Sequence, residues 1–400
     1  MSGPALPGPA SRAALAVALS WLLAACGGGS SAQQAPQGSE LSERAAIGEL
    51  IFHDVSLSAS GRQACASCHV ERSGHAPDNA LPAQLGGPLL DQQGSRNAPS
   101  ARYLAFNTAF FFDAEGTPTG GFFWDGRAAS LQAQAHEPFL NPLEMANADP
   151  ADVVAKLARA PYAERFKRMF GDDILTRPAD AFDRMALAVQ RYQLEDVEFR
   201  PFTSKYDEFL RGNVQLSAQE QRGLALFVSP AKGNCAACHP SGKAADGSHP
   251  LFTDFTYDNL GVPRNDALIQ NGDPNFFDLG LCARSGGDLA DRADLCGAFK
   301  VPSLRNVALR KAYFHNGRFK TLKDALTFYV QRDTNPEKWY PRKPDGSVDK
   351  FNDLPDRYKA NVNTTEAPYD RQLGDVPALS DAEIDDVIAF LRTLSDGFAP

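Results

Sequence analysis

The chain has 400 residues, of which 43% are hydrophobic and 22% are charged. This length is too great for one small core, so we expect two domains. Forty basic and 49 acidic residues give a net charge of −9, and no run of basic residues or stripe of basic and aromatic residues interrupts that balance. We therefore expect no binding to nucleic acid.

The pattern of residues 1–25 predicts an export signal, which we expect not to form part of the folded domains. One charged residue, Arg12, precedes the apolar run AALAVALSWLLAAC, which is too short to span a membrane as a mature helix. The run ends in Leu-Ala-Ala-Cys, a pattern typical of bacterial lipoproteins, in which the cysteine, here Cys26, carries the lipid. Ordinary signal-peptidase cleavage nearby is the alternative. Residues 26–42 then read as a flexible tether, and we expect a periplasmic protein whose only membrane attachment is the lipid, in the outer membrane.

Two copies of the sequence CxxCH follow, CASCH at 65–69 and CAACH at 235–239. This is the attachment sequence of c-type haem, in which two thiols add to the vinyl groups and the adjoining imidazole, here His69 or His239, binds iron. Zinc could use the same residue types, but it would need further ligands at compact spacing, and no second CxxC or HxxxH lies near either motif. We therefore expect two covalent haems, attached at Cys65, Cys68, Cys235 and Cys238.

A short helix carrying the pattern G-x-x-(I/L)-F is predicted before each motif, in AAIGELIFHD (45–54) and QRGLALFVSP (221–230). The final segment, LSDAEIDDVIAFLRTL (379–394), has its apolar residues on one helical face and a capping box at its start. A helix before CxxCH and a later helix that crosses it is the arrangement of cytochrome c. The sequence predicts a mainly α fold of two tandem cytochrome c-like domains with long loops, at 43–205 and 206–400.

The positions of the methionines limit which residue can be the sixth ligand of each haem iron. They are Met1, Met145, Met169 and Met185. None lies in the second domain, whose iron is left with His249, His315, a tyrosine or no sixth ligand. The local candidates for the first iron are His75, His136 and Met145. His75 lies only six residues after His69, a spacing more typical of a loop residue than of a ligand on the opposite face.

Cys282 and Cys296 remain, in a loop rich in Gly and Asp. In an oxidising compartment they are expected to form a disulfide that closes this loop. Two free thiols are the alternative.

Several stretches resemble the bacterial di-haem cytochrome c peroxidase and MauG superfamily, over essentially all of the mature chain. They are RNAPS (96–100), FFWDGRAASLQAQAHEPFLNPLEM (122–145), CAACH (235–239), FKVPSLRNVALRKAYFHNG (299–317) and TLKDALTFY (321–329). Fourteen residues after His315, where ordinary peroxidases of this group have a methionine ligand, this chain has Tyr329. Sixteen residues after His69, where they have a loop histidine, it has Leu85. Both departures resemble the MauG branch of the superfamily. Within that branch, the sequence of residues 299–341 resembles the MbnH type.

The resemblance implies a role for each matching residue. Glu144 would be the distal acid–base group over an open first haem, with Gln134 as the distal amide and Pro138 limiting access. Trp124 would lie between the haems, and Tyr329 would complete the second iron opposite His239. A calcium ion between the haems would be bound by the side chain of Asn97 and by the backbone carbonyls of Arg310 and Ala312. Without the haems, Glu144 would read as a surface carboxylate and both aromatic residues as packing.

The resemblance also implies a function. A phenolate ligand is anionic and stabilises higher iron oxidation states, whereas methionine favours the ferrous state. The expected protein is an H2O2-dependent oxidase that forms a bis-Fe(IV) type state and oxidises a tryptophan of a secreted, MbnP-like partner towards kynurenine. The alternative is a peroxidase that reduces H2O2 with electrons from a small donor cytochrome. A multi-haem electron carrier is disfavoured, because a carrier would close both irons with strong ligands.

Overall fold

The computed structural model describes residues 40–399, so the predicted export signal, Cys26 and most of the tether lie outside the described residues. Ten α-helices lie in this range: α1 Glu43–His53, α2 Cys65–Cys68, α3 Leu131–Leu140, α4 Pro150–Leu157, α5 Ala163–Phe170, α6 Pro178–Glu195, α7 Lys205–Leu210, α8 Ala218–Val228, α9 Leu322–Gln331 and α10 Asp381–Arg392. Long loops with short 3₁₀ turns join them. The mainly α prediction is confirmed.

The strands are short, and each pairs antiparallel with one neighbour. β1 (Leu85–Gly86) pairs with β2 (Gln92–Gln93), β3 (Phe111–Phe112) with β4 (Pro118–Thr119), and β5 (Tyr257–Asp258) with β6 (Phe299–Lys300). The third pair joins Tyr257 to Lys300 and Asp258 to Phe299, so it anchors the long loop that contains Cys282 and Cys296. Within that loop a disulfide joins Cys282 to Cys296.

Two helix pairs cross in the same way, α1 on α6 and α8 on α10. A Cβ atom added to Gly48 of α1 would lie 2.0 Å from the carbonyl oxygen of Ala188. A Cβ atom added to Gly223 of α8 would lie 2.0 Å from the carbonyl oxygen of Asp386. Only glycine permits this approach of two backbones, which explains why the pattern G-x-x-(I/L)-F precedes both haem motifs.

The phenylalanine of each pattern completes the same contact in both halves. Phe52 meets the edge of Tyr192 with ring centroids 5.6 Å apart, and Phe227 meets the edge of Phe390 at 5.2 Å. Tyr192 and Phe390 each lie four residues, one helical turn, after the carbonyl that approaches the glycine. The same crossing is thus built twice, as the prediction of tandem cytochrome c-like domains requires.

The hydrophobic core has two large parts. One consists of residues between Ile47 and Phe199, and the other of residues between Tyr206 and Leu394. The predicted domain boundary, between residues 205 and 206, falls in the gap between these two sets and stays a prediction.

The final helix follows the sequence pattern closely. Ser380 and Glu383 form the capping box of α10, and the predicted apolar face, including Ile384, Val387 and Leu391, is buried. Within residues 40–399 no helix is both long enough and apolar enough to cross a bilayer.

Candidate active site

One continuous cavity reaches both CxxCH segments. It is lined by the residues predicted to hold and surround the haems, namely Cys65, Cys68, His69, Asn97, Trp124, Gln134, Pro138, Glu144, Cys235, Cys238, His239, Arg310 and Tyr329. Of the predicted haem and calcium residues in the described range, only Ala312 does not line it. Segments that are distant in sequence therefore converge on one space.

Both CxxCH histidines are oriented by a backbone carbonyl. Nδ1 of His69 lies 3.1 Å from the carbonyl oxygen of His75, and Nδ1 of His239 lies 2.7 Å from that of Phe252. A hydrogen bond at Nδ1 leaves Nε2 as the atom that can bind a metal. His75 and Phe252 both have positive φ, 53° and 55°, a backbone conformation that is uncommon outside glycine and that aims each carbonyl at its histidine.

Burial keeps these histidines neutral and their cysteines protonated. It lowers the pKa of His69 to about 4 and also lowers the pKa of His239. It raises the pKa of Cys65 and of Cys235 to about 12. Neutral imidazoles are the form of histidine that can bind iron. No group of three or more His, Cys, Asp or Glu residues that could hold a metal ion lies within residues 40–399.

Glu144 is buried beside the first CxxCH segment. Burial raises the pKa of its carboxyl group, against opposing effects of Arg127 and of a 2.8 Å hydrogen bond from Asn141 Nδ2 to Glu144 Oε1. The pKa of Cys68 is raised by burial and then by the nearby Glu144. A carboxyl group in such a place can both accept and return a proton.

Gln134 and Pro138 lie on the same face of α3, one helical turn apart, and both line the cavity. Asn141, just past the end of α3, lies one turn further along and orients Glu144. The sequence placed Glu144 and Gln134 near the first haem but did not identify Asn141 or Arg127. Both occur in the stretch 122–145, but only the fold shows that they reach Glu144.

The histidine candidates for the sixth position of the first iron are occupied elsewhere. His75 Nε2 lies 3.0 Å from Glu198 Oε1, and its ring lies 4.3 Å from that of Phe199. His136 faces Asp183, with Nε2 3.6 Å from Oδ1, and does not line the cavity. Met145 is buried and does line it. The interpretation of His75 as a loop residue agrees with these contacts.

Trp124 is fixed at both its indole and its backbone. Its Nε1 donates a 2.7 Å hydrogen bond to the carbonyl of Asn97, and its carbonyl accepts one of 2.8 Å from the amide of Lys300. Asn97 comes from the segment RNAPS and Lys300 from β6 of the second half of the chain. The indole therefore lies in the cavity where segments from both halves meet.

Tyr329, near the end of α9, is partly buried and lines the cavity beside the second CxxCH segment. Burial raises the pKa of its phenol, with further raising effects of Cys235 and Cys238. Within residues 40–399 the Tyr329 hydroxyl makes no hydrogen bond, unlike the buried hydroxyls of Tyr206 and Tyr340, which donate to Ser241 and Gly261. Because Tyr329 lines the cavity, this hydroxyl is available to a ligand there.

The two histidine candidates for the second iron have other contacts. His249 Nδ1 lies 2.6 Å from Asp207 Oδ1, and His249 does not line the cavity. His315 lines it, but its ring stacks on Phe299 with centroids 3.5 Å apart and planes 9° apart. Tyr329 has no competing polar or stacking contact of this kind, and it lies at the position that the family resemblance indicates.

The three residues predicted to bind calcium lie together but do not present oxygen ligands to a cation. Nδ2 of Asn97 donates to the carbonyl of Ala312 at 3.0 Å, and Nε of Arg310 approaches the same oxygen at 3.3 Å. The carbonyl of Arg310 accepts a 2.8 Å hydrogen bond from the hydroxyl of Tyr313. The buried guanidinium adds a positive charge where calcium would require negative or neutral oxygen. These residues do not fit a calcium ion as they lie.

Comparison with known proteins identifies the family of the chain. Residues 42–215 match the family model described as di-haem cytochrome c peroxidase. The chain is 37% identical over 361 residues to the methylamine utilization protein MauG of Paracoccus denitrificans, covering 88% of each. Among solved structures it is similar to the diheme peroxidase BthA of Burkholderia thailandensis, with 39% identity, a TM-score of 0.81 and coverage of 88% and 86%.

A third similarity is weaker. A MauG-like protein associated with microbial copper homeostasis matches with 26% identity and a TM-score of 0.60, covering 89% of this chain and 90% of that chain. The relatives thus include both MauG proteins and peroxidases. The chain is an oxidoreductase of the di-haem cytochrome c peroxidase and MauG family.

Proposed function

We propose that this protein uses H2O2 to oxidise a tryptophan of a partner protein in the periplasm. When bound, the two c-type haems supply activation of peroxide and storage of two oxidising equivalents. The chain itself attaches the haems, orients their histidines, moves the proton of the peroxide and conducts electrons between the two sites. The observation that carries the proposal is the Tyr329 hydroxyl, which has no hydrogen-bond partner within residues 40–399 and lines the cavity beside the second CxxCH segment.

Tyr329 sets the proposed direction of electron flow. A ferric ion would offset the burial that opposes ionisation of its phenol, and the resulting phenolate would favour higher oxidation states. Such a site accepts electrons poorly from a donor cytochrome but retains oxidising power well. The second domain contains no methionine that could serve instead.

Beside the first CxxCH segment, Glu144 transfers the proton of the peroxide. As a carboxylate it accepts a proton from H2O2, and as the acid it returns that proton to the oxygen that leaves as water. Asn141 holds Oε1 of Glu144, so the other oxygen is free for this transfer. Gln134 and Pro138 line the approach and limit its size.

Trp124 is proposed to relay electrons between the two halves. Its indole lies in the shared cavity and is fixed by Asn97. An oxidisable ring there divides one long electron transfer into two shorter ones. The electrons would come from a tryptophan on a docked secreted protein, MbnP-like and oxidised towards kynurenine. The similarity to a MauG-like protein associated with copper homeostasis, at 26% identity, supports this partner class.

Two further proposals concern the export of the protein and its division into domains. Export through residues 1–25, with a lipid on Cys26 and a tether over 26–42, would place the protein in the periplasm on the outer membrane. Domain limits of 43–205 and 206–400 would give each haem one domain. Calcium is left out of the proposed mechanism because the residues predicted to bind it do not fit it.

A peroxidase that reduces H2O2 to water with electrons from a small cytochrome is the second candidate. It is favoured by the greater similarity to a protein described as a diheme peroxidase, 39% identical, than to the copper-associated protein at 26%. In that case Tyr329 would store an oxidising equivalent until the donor arrives.

The two candidates separate in one experiment. H2O2 is added to the protein with both haems, either with secreted proteins encoded beside its gene or with a reduced small cytochrome. Mass spectrometry then follows tryptophan in the first mixture, and absorbance follows oxidation of the cytochrome in the second. An oxygen-containing mass gain on tryptophan supports the proposal. Rapid turnover of the cytochrome without any modified tryptophan contradicts it and supports the second candidate.

A further inference from the structure

Arg310 lies in the haem cavity as a partly buried cation. Burial of its guanidinium lowers its pKa to about 10. No carboxylate within residues 40–399 forms an ion pair with it, whereas buried Arg305 pairs with Asp207 and buried Arg332 with Asp333. A buried charge without a counter-charge is costly, so its retention at this place calls for a role.

The partners of Arg310 are backbone carbonyls from both halves of the chain. Nη2 donates to the carbonyl of Ala98 at 2.9 Å, and Nε approaches the carbonyl of Ala312 at 3.3 Å. Ala98 belongs to the segment RNAPS, and Ala312 to the segment 299–317. The guanidinium therefore bridges the same two segments that the predicted calcium ion would bridge.

This bridge continues to the inter-haem tryptophan. The backbone amide of Asn97 donates to the carbonyl of His315 at 2.7 Å, and its side chain donates to the carbonyls of Ala312 and Phe314 at 3.0 and 3.2 Å. The carbonyl of Asn97 in turn accepts the indole N–H of Trp124 at 2.7 Å. Arg310 thus fixes the residue next to the one that holds Trp124.

We propose that the guanidinium of Arg310 replaces the inter-haem calcium, so that this protein needs no metal ion at the junction that positions Trp124. A calcium ion on the carbonyl of Ala312 would lie close to a fixed positive charge, and the N–H donors already satisfy that oxygen. Arg310 also lines the haem cavity. A calcium ion can dissociate from its site, whereas the side chain of Arg310 is part of the chain. The junction between the two segments therefore stays ordered without calcium.

The test is a comparison of calcium responses in the protein with both haems attached. Wild type, Arg310→Thr and Arg310→Lys are treated with a chelator and then measured with and without added CaCl2, by elemental analysis and by thermal unfolding. Arg264→Lys serves as control, since Arg264 also donates to backbone carbonyls, those of Phe276 and Asn271, but does not line the cavity.

We expect substoichiometric calcium in the wild type and an unfolding midpoint that calcium does not change. Arg310→Thr removes the charge and frees the carbonyl of Ala312, so calcium should raise its midpoint. Arg310→Lys keeps the charge and should remain unresponsive, as should Arg264→Lys. An equal response of wild type and Arg310→Thr, including no response in either, would overturn the proposal. If Arg310→Thr does not fold, one tightly held calcium per wild-type chain overturns it and its absence supports it. No peroxide or partner protein is involved, so this result is independent of the proposed function.

Discussion

The indole N–H of Trp124 and the backbone carbonyl of Asn97 are joined by a 2.7 Å hydrogen bond. This contact fixes an oxidisable ring in the cavity that both CxxCH segments share. The position of Trp124 therefore depends on the RNAPS segment (96–100). That segment is hydrogen-bonded to the segment 299–317 through Asn97 and His315. The proposed relay of electrons through Trp124 would therefore depend on contacts between the two halves of the chain.

Replacing Trp124 by Phe should slow electron transfer between the two sites. The change keeps most of the ring volume but removes the readily oxidised indole and its hydrogen bond, at a cost of about 1 kcal/mol in the free energy of unfolding. We expect unchanged ferric absorption spectra and a slower peroxide-driven oxidation of the partner or donor, measured by stopped flow.

Trp339→Phe is the matched control for Trp124→Phe. Trp339 packs on Phe319 and Phe328 outside the cavity lining. Equal slowing by both substitutions would argue against a specific relay through Trp124.

Glu144→Gln should slow the reaction with peroxide by about 10²- to 10⁴-fold, the usual contribution of a positioned acid–base group. The substitution preserves shape and an oxygen that can accept from Asn141, but it cannot exchange a proton. Stopped-flow mixing with H2O2 gives the rate constant. Glu137→Gln is the control, because Glu137 is a neighbouring carboxylate that pairs with Arg127 at 2.8 Å and is 40% exposed.

The same carboxyl group predicts a pH dependence. The reaction requires the carboxylate as proton acceptor, and burial raises the pKa of Glu144 above its ordinary value of 4.5. The rate constant for the reaction with H2O2 should therefore fall as pH decreases through a value above 4.5. This acid limb should be absent in Glu144→Gln, and its persistence there would assign it to another group.

Gly223→Ala should destabilise the second half of the chain. The new methyl carbon would lie 2.0 Å from the carbonyl oxygen of Asp386, so α8 and α10 must separate. We expect a loss of about 3 kcal/mol in the free energy of unfolding, at the upper end for overpacking. Denaturant unfolding measures it. Gly272→Ala, where the added carbon meets no atom within 4 Å, should be close to neutral.

The sequence predicted the features that depend on local chemistry. CxxCH specifies covalent haem attachment within five residues, and the apolar periodicity of α10 predicted its buried face. The patterns G-x-x-(I/L)-F predicted a short helix before each motif, and the structure shows that Gly48 and Gly223 make the helix crossing with the same geometry.

What the sequence could not predict depends on side-chain direction and long-range contact. The carbonyls that orient His69 and His239 come from His75 and Phe252, at different spacings and with positive φ. The calcium expectation rested on backbone oxygens at Arg310 and Ala312, and residue identity alone did not show where the Arg310 guanidinium would lie. Only the structure shows that the Arg310 guanidinium turns back towards the carbonyl of Ala312.

The central claim is that Tyr329 binds the second iron. Electron paramagnetic resonance and near-infrared magnetic circular dichroism of the ferric protein test it most directly, comparing wild type with Tyr329→Phe and Tyr329→Met. The account predicts one high-spin haem and one low-spin haem with histidine and tyrosinate ligands in the wild type. It predicts that the low-spin signal is lost in Tyr329→Phe and changes to that of histidine and methionine in Tyr329→Met. A wild-type spectrum of two histidine ligands, or a low-spin signal that is unchanged in Tyr329→Phe, would contradict it.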